Sequence, residues 1–361
     1  LDSSSVAGML KRAQDDAATF TIGFDAAGYD ESGFARIAAE HFGTRHHEYF
    51  VTPRDVCAAL PSIAAHYGEP FGNSSVVPAY YCAKFAHEHG VGLMLAGDGG
   101  DELFAGNTRY TDQNVFEAWF RLPGALRAAV KGGYRLLPGL ARLPLAGKGA
   151  RYIAQAEMGL PDRLQSYNFL NRFAPASVFA GDWLRTIDQA APWALWRERY
   201  AATDAPSALQ RMLYLDWKFT LADNDLVKVN NMCELAGIEV AYPMLDERVV
   251  ELACRVPPRT LLRDGNLRGF YKHATRGFLP AAVIEKSKHG FGLPFGVWVQ
   301  HDEALRGLTA DAFDALARRD IFDAAFLHDV QRLHGEGAAG YYGELVWILT
   351  MLELWFVAHD V

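Results

Sequence analysis

Gly97-Asp98-Gly99-Gly100-Asp101-Glu102-Leu103-Phe104-Ala105-Gly106 sets four glycines among three carboxylates, directly after the apolar run Leu93-Met94-Leu95-Ala96. A short apolar run reads as a buried strand, and a glycine-rich loop at its carboxyl end lets a ligand approach the backbone closely. In open α/β sheets, ligands bind at that edge. Carboxylates there repel phosphate unless a hard cation such as Mg2+ lies between them. The chemistry indicated is a metal-bridged nucleotide site. At the start of the chain, Asp2-Ser3-Ser4-Ser5 precede Val6, Met9, Leu10 and Ala13 at helical spacing, so Asp2 and the serines mark a helix start. Hydroxyls and free amides at such a start, aided by the helix dipole, suit a phosphate, whereas the short motif alone reads as an ordinary cap. Asp2 and Asp101 are the natural Mg2+ ligands, at two loop edges that would flank the phosphates.

Together these pieces resemble the synthetase domain of asparagine synthetases. That family's phosphate loop reads Ser-Gly-Gly-x-Asp-Ser, of which Asp2-Ser3 match the end, and its second loop reads Gly-(Glu/Asp)-Gly-x-Asp-Glu. The likeness continues in order along the chain. It runs through Ile22-Gly23-Phe24, Gly43-Thr44-Arg45-His46-His47-Glu48 and Glu69-Pro70-Phe71-Gly72-Asn73-Ser74-Ser75. It then takes in Leu226-Val227-Lys228 with Glu239, Pro243, Leu245 and Asp246, and ends at Lys286-Ser287-Lys288-His289-Gly290-Phe291-Gly292-Leu293-Pro294.

The resemblance implies ATP and Mg2+ as cofactors, and a small carboxylate substrate (aspartate or a relative) that becomes an acyl-AMP and then an amide. It implies that Asp2, Ser3, Ile22, Ala96, Gly97 and Lys288 bind the nucleotide and its pyrophosphate, with Asp2 and Asp101 on the metal. Lys288 is the expected catalytic lysine, because a flexible ammonium can follow charge from triphosphate to pyrophosphate. Asp98 stands where many members carry a Glu that deprotonates the attacking nitrogen, and acting as base or shaping the loop are both open readings. Ser74 and Ser75 are substrate candidates.

The chain also departs from the family. Lys-x-Asp-Arg-Met-Ser-Met is replaced by Lys228-Val229-Asn230-Asn231-Met232-Cys233-Glu234, and Glu-x-Arg-x-Pro by Glu239-Val240-Ala241-Tyr242-Pro243. Asparagine and alanine do not reproduce arginine's bidentate grip on a carboxylate, so altered acceptor specificity is expected. Two alternatives stand beside the amidotransferase. One is an intramolecular amide ligase like the β-lactam synthetases, which carry Tyr at the position of Asp98. The other is a non-catalytic nucleotide-binding scaffold.

The elements that must position these residues alternate at first. Strands are expected at Thr19–Phe24, Glu48–Val51 and 92–96, and helices at Asp30–His41, from Thr52 onward and at Pro78–His89. This implies a doubly wound parallel sheet of the ATP-pyrophosphatase type with a large helical C-terminal part. The division expected within one synthetase domain over 1–361 is an α/β nucleotide-binding part at 1–110 and a mainly helical part at 111–361. The family's first strand and the start of its phosphate loop would lie upstream of Leu1, so a longer polypeptide is expected. Nitrogen would come from the family's glutaminase domain, not in this chain, or from free ammonia; a homodimer is left open.

A formal net charge of -8 argues against nucleic acid as partner. Cys57, Cys82, Cys233 and Cys254 lack metal spacing and read as idle thiols of a reducing cytoplasm. No apolar run is expected to span a membrane. Seven basic residues and no acid lie between Arg121 and Arg151, which read as a solvated helical face rather than a membrane contact. His46 and His47 are neighbours on a strand and point to opposite faces, so they do not read as a metal pair.

Overall fold

The computed structural model describes residues 1–361 except 27, 137–143, 167, 169, 287–291 and 338. Lys288 and Arg142 therefore lie outside the described residues. The first elements are α1 (Asp2–Ala13), β1 (Ala18–Phe24), α2 (Ser32–Phe42), β2 (Arg45–Val51), α3 (Pro53–His66), α4 (Val76–Glu88), β3 (Leu93–Leu95) and α5 (Gly100–Phe104). The alternation read from the sequence is thus present. Thr52 caps α3 in a full capping box with Asp55. His46 bonds Thr19 and Glu48, while His47 stacks on Phe20, as opposite-facing neighbours must.

β1 and β2 pair in parallel, with Ile22 opposite Tyr49. β3 pairs in parallel with β4 (Glu239–Ala241), not with β1. The expected single doubly wound sheet is therefore seen as two parallel two-stranded pieces among the described residues. A cavity of about 530 Å³, lined by Thr19 and Thr21 of β1, Leu93 and Leu95 of β3, and Leu10 of α1, lies between them.

Helices dominate after Asn107: α6 (Arg109–Phe120), α7 (Gly124–Leu136), α8 (Pro144–Glu157), α9 (Ala208–Asp216), α10 (Leu226–Ala236), α11 (Glu247–Arg255), α12 (Gly269–Ala274), α13 (Phe295–His301), α14 (Glu303–Leu316), α15 (Ala324–Gly335) and α16 (Ala339–Ala358). Between α9 and α10, residues Trp217–Asp225 form a π-helical stretch, a local widening of the helix that often marks function. In the basic stretch, Lys131 is paired to Glu157 at 2.7 Å and Arg127 lies over the Phe120 ring, so these charges serve local packing.

Within α16, Gly340–Ala358 is long and apolar enough to cross a membrane by length and composition, which corrects the expectation that no such run exists. Its environment explains its composition. It packs against α3, α13, α14 and α15, and Leu345, Val346, Trp347, Leu349 and Met351 are all buried. A helix apolar on every side is the signature of a core helix as much as of a span. This core joins Ile22, Leu60 and Ile63 of the N-terminal elements to Phe295, Phe313 and Trp347 from the far end of the chain.

The indole Nε1–H of fully buried Trp347 donates to the Gly72 carbonyl at 3.0 Å, tying α16 to the loop that carries Ser74 and Ser75. Trp347→Phe removes that donor and part of the packing, and should cost about 2 kcal/mol, read as a lowered urea midpoint. An unchanged midpoint would show that the tie contributes nothing.

Candidate active site

Chain geometry brings the two acidic turns together. Gly97, just after β3, lies against the first turn of α1: a Cβ there would stand 2.5 Å from the Ser3 nitrogen. Only glycine permits this approach. The loop then turns into α5, whose Phe104 stacks on Tyr271 of α12 with centroids 4.7 Å apart. The Trp217 indole donates to the Glu102 carbonyl at 2.9 Å, fixing α5 to the π-helical stretch.

Arg268 occupies the centre. Its Nη1 lies 2.9 Å from Asp2 Oδ2, and its Nη2 donates to Asp101 Oδ1. Burial opposes the charge on Arg268, yet Asp2 and Asp101 outweigh it and carry its pKa above the ordinary value. A Cβ on Gly106 would strike both the Asp101 carboxylate and this guanidinium, which explains the second close-approach glycine. Asp2 is the first residue of α1, and no side chain caps that helix. The carboxylate faces the basic centre instead.

A cavity of about 760 Å³ opens around these groups, lined among others by Asp2, Ser3, Ser75, Asp98, Asp101 and Lys228. It therefore collects most of the residues singled out from sequence. Others lie elsewhere. Ile22 is buried in the large core at 4% exposure and is not part of this lining. The Ala96 amide donates to the Ala241 carbonyl at 2.9 Å, extending the β3–β4 pairing. Ser74 is buried and its Oγ donates to Glu344 Oε2 at 3.2 Å, so it supports the loop from behind while Ser75 faces the cavity.

Glu102 of the glycine-rich loop and Lys286, the competitor of Lys288 in the late lysine loop, also line it, together with four residues not singled out from sequence: Glu31, Asp225, Arg268 and Lys272. Lys286 Nζ meets Glu31 Oε2 at 2.5 Å on the rim, and Lys228 Nζ meets Asp225 Oδ1 at 2.8 Å on the wall. Arg268 follows Gly-Asn-Leu in a stretch without periodicity, and a positive φ of 55° at Arg268 gives no sequence signal. Asp225 is placed by the π-helical register, which a 3.6-residue reading cannot foresee.

Electrostatics divide the cavity. Desolvation pushes the Asp98 carboxyl up, Lys228 pulls it back, and Asp225 raises it again. Burial and then the neighbouring Asp101 push Glu102 up to about 8. Burial also raises Cys82 to about 12 and Cys233 to about 11, so neither thiol is a nucleophile near neutrality.

Asp2 and Asp101 fit a divalent cation on the chemistry of the donor set: two hard carboxylates converge on one positive charge. Among the described residues no group of three or more metal-ligating side chains is gathered. Mg2+ typically takes one or two carboxylates and completes its shell with waters and substrate phosphates, so two suffice. Gly97→Ala should force α1 away from the loop and destabilise by roughly 2 kcal/mol. Gly33→Ala, where a Cβ meets nothing, should leave stability within about 0.5 kcal/mol. Thermal melts of the pair check this, and equal midpoints would contradict the close contact.

The asparagine synthase family pattern matches residues 1–357. A putative glutamine-hydrolysing asparagine synthetase of Mycobacterium tuberculosis (strain ATCC 25618 / H37Rv) is 28% identical over 370 residues, covering 100% of this chain and 54% of that protein. Asparagine synthetase [glutamine-hydrolyzing] 1 of Bacillus subtilis (strain 168) is 24% identical, covering 89% and 50%. A putative asparagine synthetase of Methanocaldococcus jannaschii is 31% identical over 253 residues, covering 67% and 45%. The chain spans about half the length of these curated relatives. It belongs to the asparagine synthase family.

Proposed function

We propose that this chain is the ATP-using part of an amidotransferase of the asparagine synthetase type. The observation that carries the reading is the convergence of Asp2 and Asp101 on one positive charge inside a cavity lined by four basic residues, Lys228, Arg268, Lys272 and Lys286.

ATP enters with its phosphates between the two acidic turns. Asp2 and Asp101 would hold Mg2+, which would supply neutralisation of phosphate charge. Arg268 and Lys272 line the same cavity and add positive charge beside the phosphates. An oxygen of the substrate carboxylate attacks the α-phosphorus; the bond from that phosphorus to the bridging oxygen breaks, and pyrophosphate leaves. Lys288 accompanies the departing charge, by the sequence resemblance. Ammonia then adds to the acyl carbon of the adenylate, loses a proton and expels AMP, leaving an amide. We assign Asp98 to receive that proton, its affinity raised by burial. The relatives are named as glutamine-hydrolysing, and we assign glutamine as the ultimate nitrogen source here.

The doubly wound sheet belongs to the same reading: β1 and β3 line one cavity, and both pairs of strands run parallel. We also assign Ser3 and Gly97 as backbone contacts to the nucleotide.

The test is MgATP binding by calorimetry together with ATP–pyrophosphate exchange across a panel of small acids. Asp2→Asn with Asp101→Asn should weaken MgATP binding at least tenfold, or about 1.4 kcal/mol. Lys288→Ala should abolish exchange with the fold intact. Undiminished MgATP binding by the double variant would overturn the metal-bridged site, and normal exchange by Lys288→Ala would remove that lysine from the mechanism.

A further inference from the structure

Resting on the reading above and deepening it, we propose that Glu31 is a positioning residue for the reaction. Through its ion pair with Lys286 it fixes where the late lysine loop leaves the scaffold, at the edge of the cavity. Lys286 stands two residues before Lys288, and two residues of chain span at most about 7 Å. Holding Lys286 therefore limits how far the loop can carry Lys288.

Glu31 is itself held. It directly precedes α2, between Asp30 and Ser32. Asp30 accepts from the Ser32 amide at 3.1 Å and from the Ser32 hydroxyl at 2.8 Å, and Arg36 Nη2 donates to that hydroxyl oxygen at 3.0 Å. Arg36 Nε in turn donates to Glu48 at 2.7 Å, so the start of α2 is tied to β2. From this fixed start, Glu31 Oε2 meets Lys286 Nζ at 2.5 Å. The same ammonium lies 5.0 Å from the centroid of the Phe34 ring, one turn along α2.

The stem that leads to Lys286 is fastened at its other end as well. Phe278 packs on Phe42 with centroids 5.1 Å apart, and His41 Nε2 lies 3.0 Å from the Phe278 carbonyl oxygen. Arg12 of α1 covers the Phe278 ring, and a Cβ on Gly8 would strike both phenylalanines. The stem therefore runs along α2 from Phe278 through the helical turn Ala281–Glu285, tied near both ends of that helix. Glu31 and Lys286 both line the cavity, so the second tie stands where the lysine loop begins.

Charge alone would give Glu31 the opposite effect. A carboxylate on the wall of a phosphate-binding cavity repels the ligand, so its removal would aid binding. A positioning role instead costs turnover and spares binding.

The experiment is MgATP binding by calorimetry beside ATP–pyrophosphate exchange, with the small acid that the unsubstituted chain uses best. Glu31→Gln should lower kcat about tenfold or more, because a slight displacement of a reacting group is costly, while the Kd of MgATP stays within about twofold. The charge-swapped double variant, Glu31→Lys with Lys286→Glu, should recover most of the lost kcat. A smaller loss of kcat in Glu31→Gln, a Kd shifted beyond that range, or a swapped variant no better than Glu31→Gln overturns the inference alone. Failure of the unsubstituted chain to bind MgATP, or to exchange with any acid, overturns the parent reading and this one with it.

Discussion

Two carboxylates from turns far apart in the chain have to be held beside one another. At a separation of about 5 Å and an effective dielectric constant near 20, two such charges repel by roughly 3 kcal/mol. Arg268 answers that repulsion by lying between Asp2 and Asp101 and contacting both. That double contact explains why the basic residue is an arginine: a planar fork reaches two acceptors at once, where an ammonium is a single point of charge.

Several parts of the scaffold serve that contact. The Arg268 amide donates to the Ala105 carbonyl at 3.1 Å, so the residue is anchored to the end of α5 that presents Asp101. Its positive φ is a backbone conformation that L-residues adopt at a cost of the order of 1 kcal/mol, here compensated by that anchor and the two ion pairs. Gly97 lets the Asp2 turn approach, and Phe104 on Tyr271 locks α5 to α12. Behind the other wall, Trp347 and Glu344 of α16 support the Ser74–Ser75 loop through the Gly72 carbonyl and the Ser74 hydroxyl. The longest apolar helix of the chain therefore reaches the site through two hydrogen bonds.

Much of this was legible in the sequence, for identifiable reasons. The Gly97–Gly106 loop and the Asp2 turn carry their constraints in residue type, since glycine and carboxylate tolerate few substitutes where backbones and charges meet closely. The α3 capping box and the strand residues from Ala18 to Phe24 are likewise local signals. Arg268 and Asp225 were not legible, because each depends on an unusual backbone state, a positive φ in one case and a π-helical register in the other. Ile22 is buried in the core at 4% exposure and is not among the residues lining this cavity, because a strand position alternates between faces. The single sheet is not seen among the described residues: alternating helices and strands state which elements exist, while strand order depends on which edges meet. The aromatic-rich run Tyr341–Phe356 reads as a core helix and is one, and Glu353 within it is buried through its pairing with Arg319 at 2.5 Å.

The acidic centre and the helix behind it obey different constraints. At the centre, Asp2, Asp101, Arg268 and the close-approach glycines constrain one another, so a change in any of them disturbs the rest. On α10, Asn230 and Asn231 are not among the residues lining the cavity and satisfy their hydrogen bonds within the protein, to the Tyr242 hydroxyl and the Val227 carbonyl. Positions that close their own bonds can be exchanged without leaving a polar group unpaired, which is the costly outcome inside a protein. The acidic centre has no such freedom, because it rests on charges that must hold each other in place.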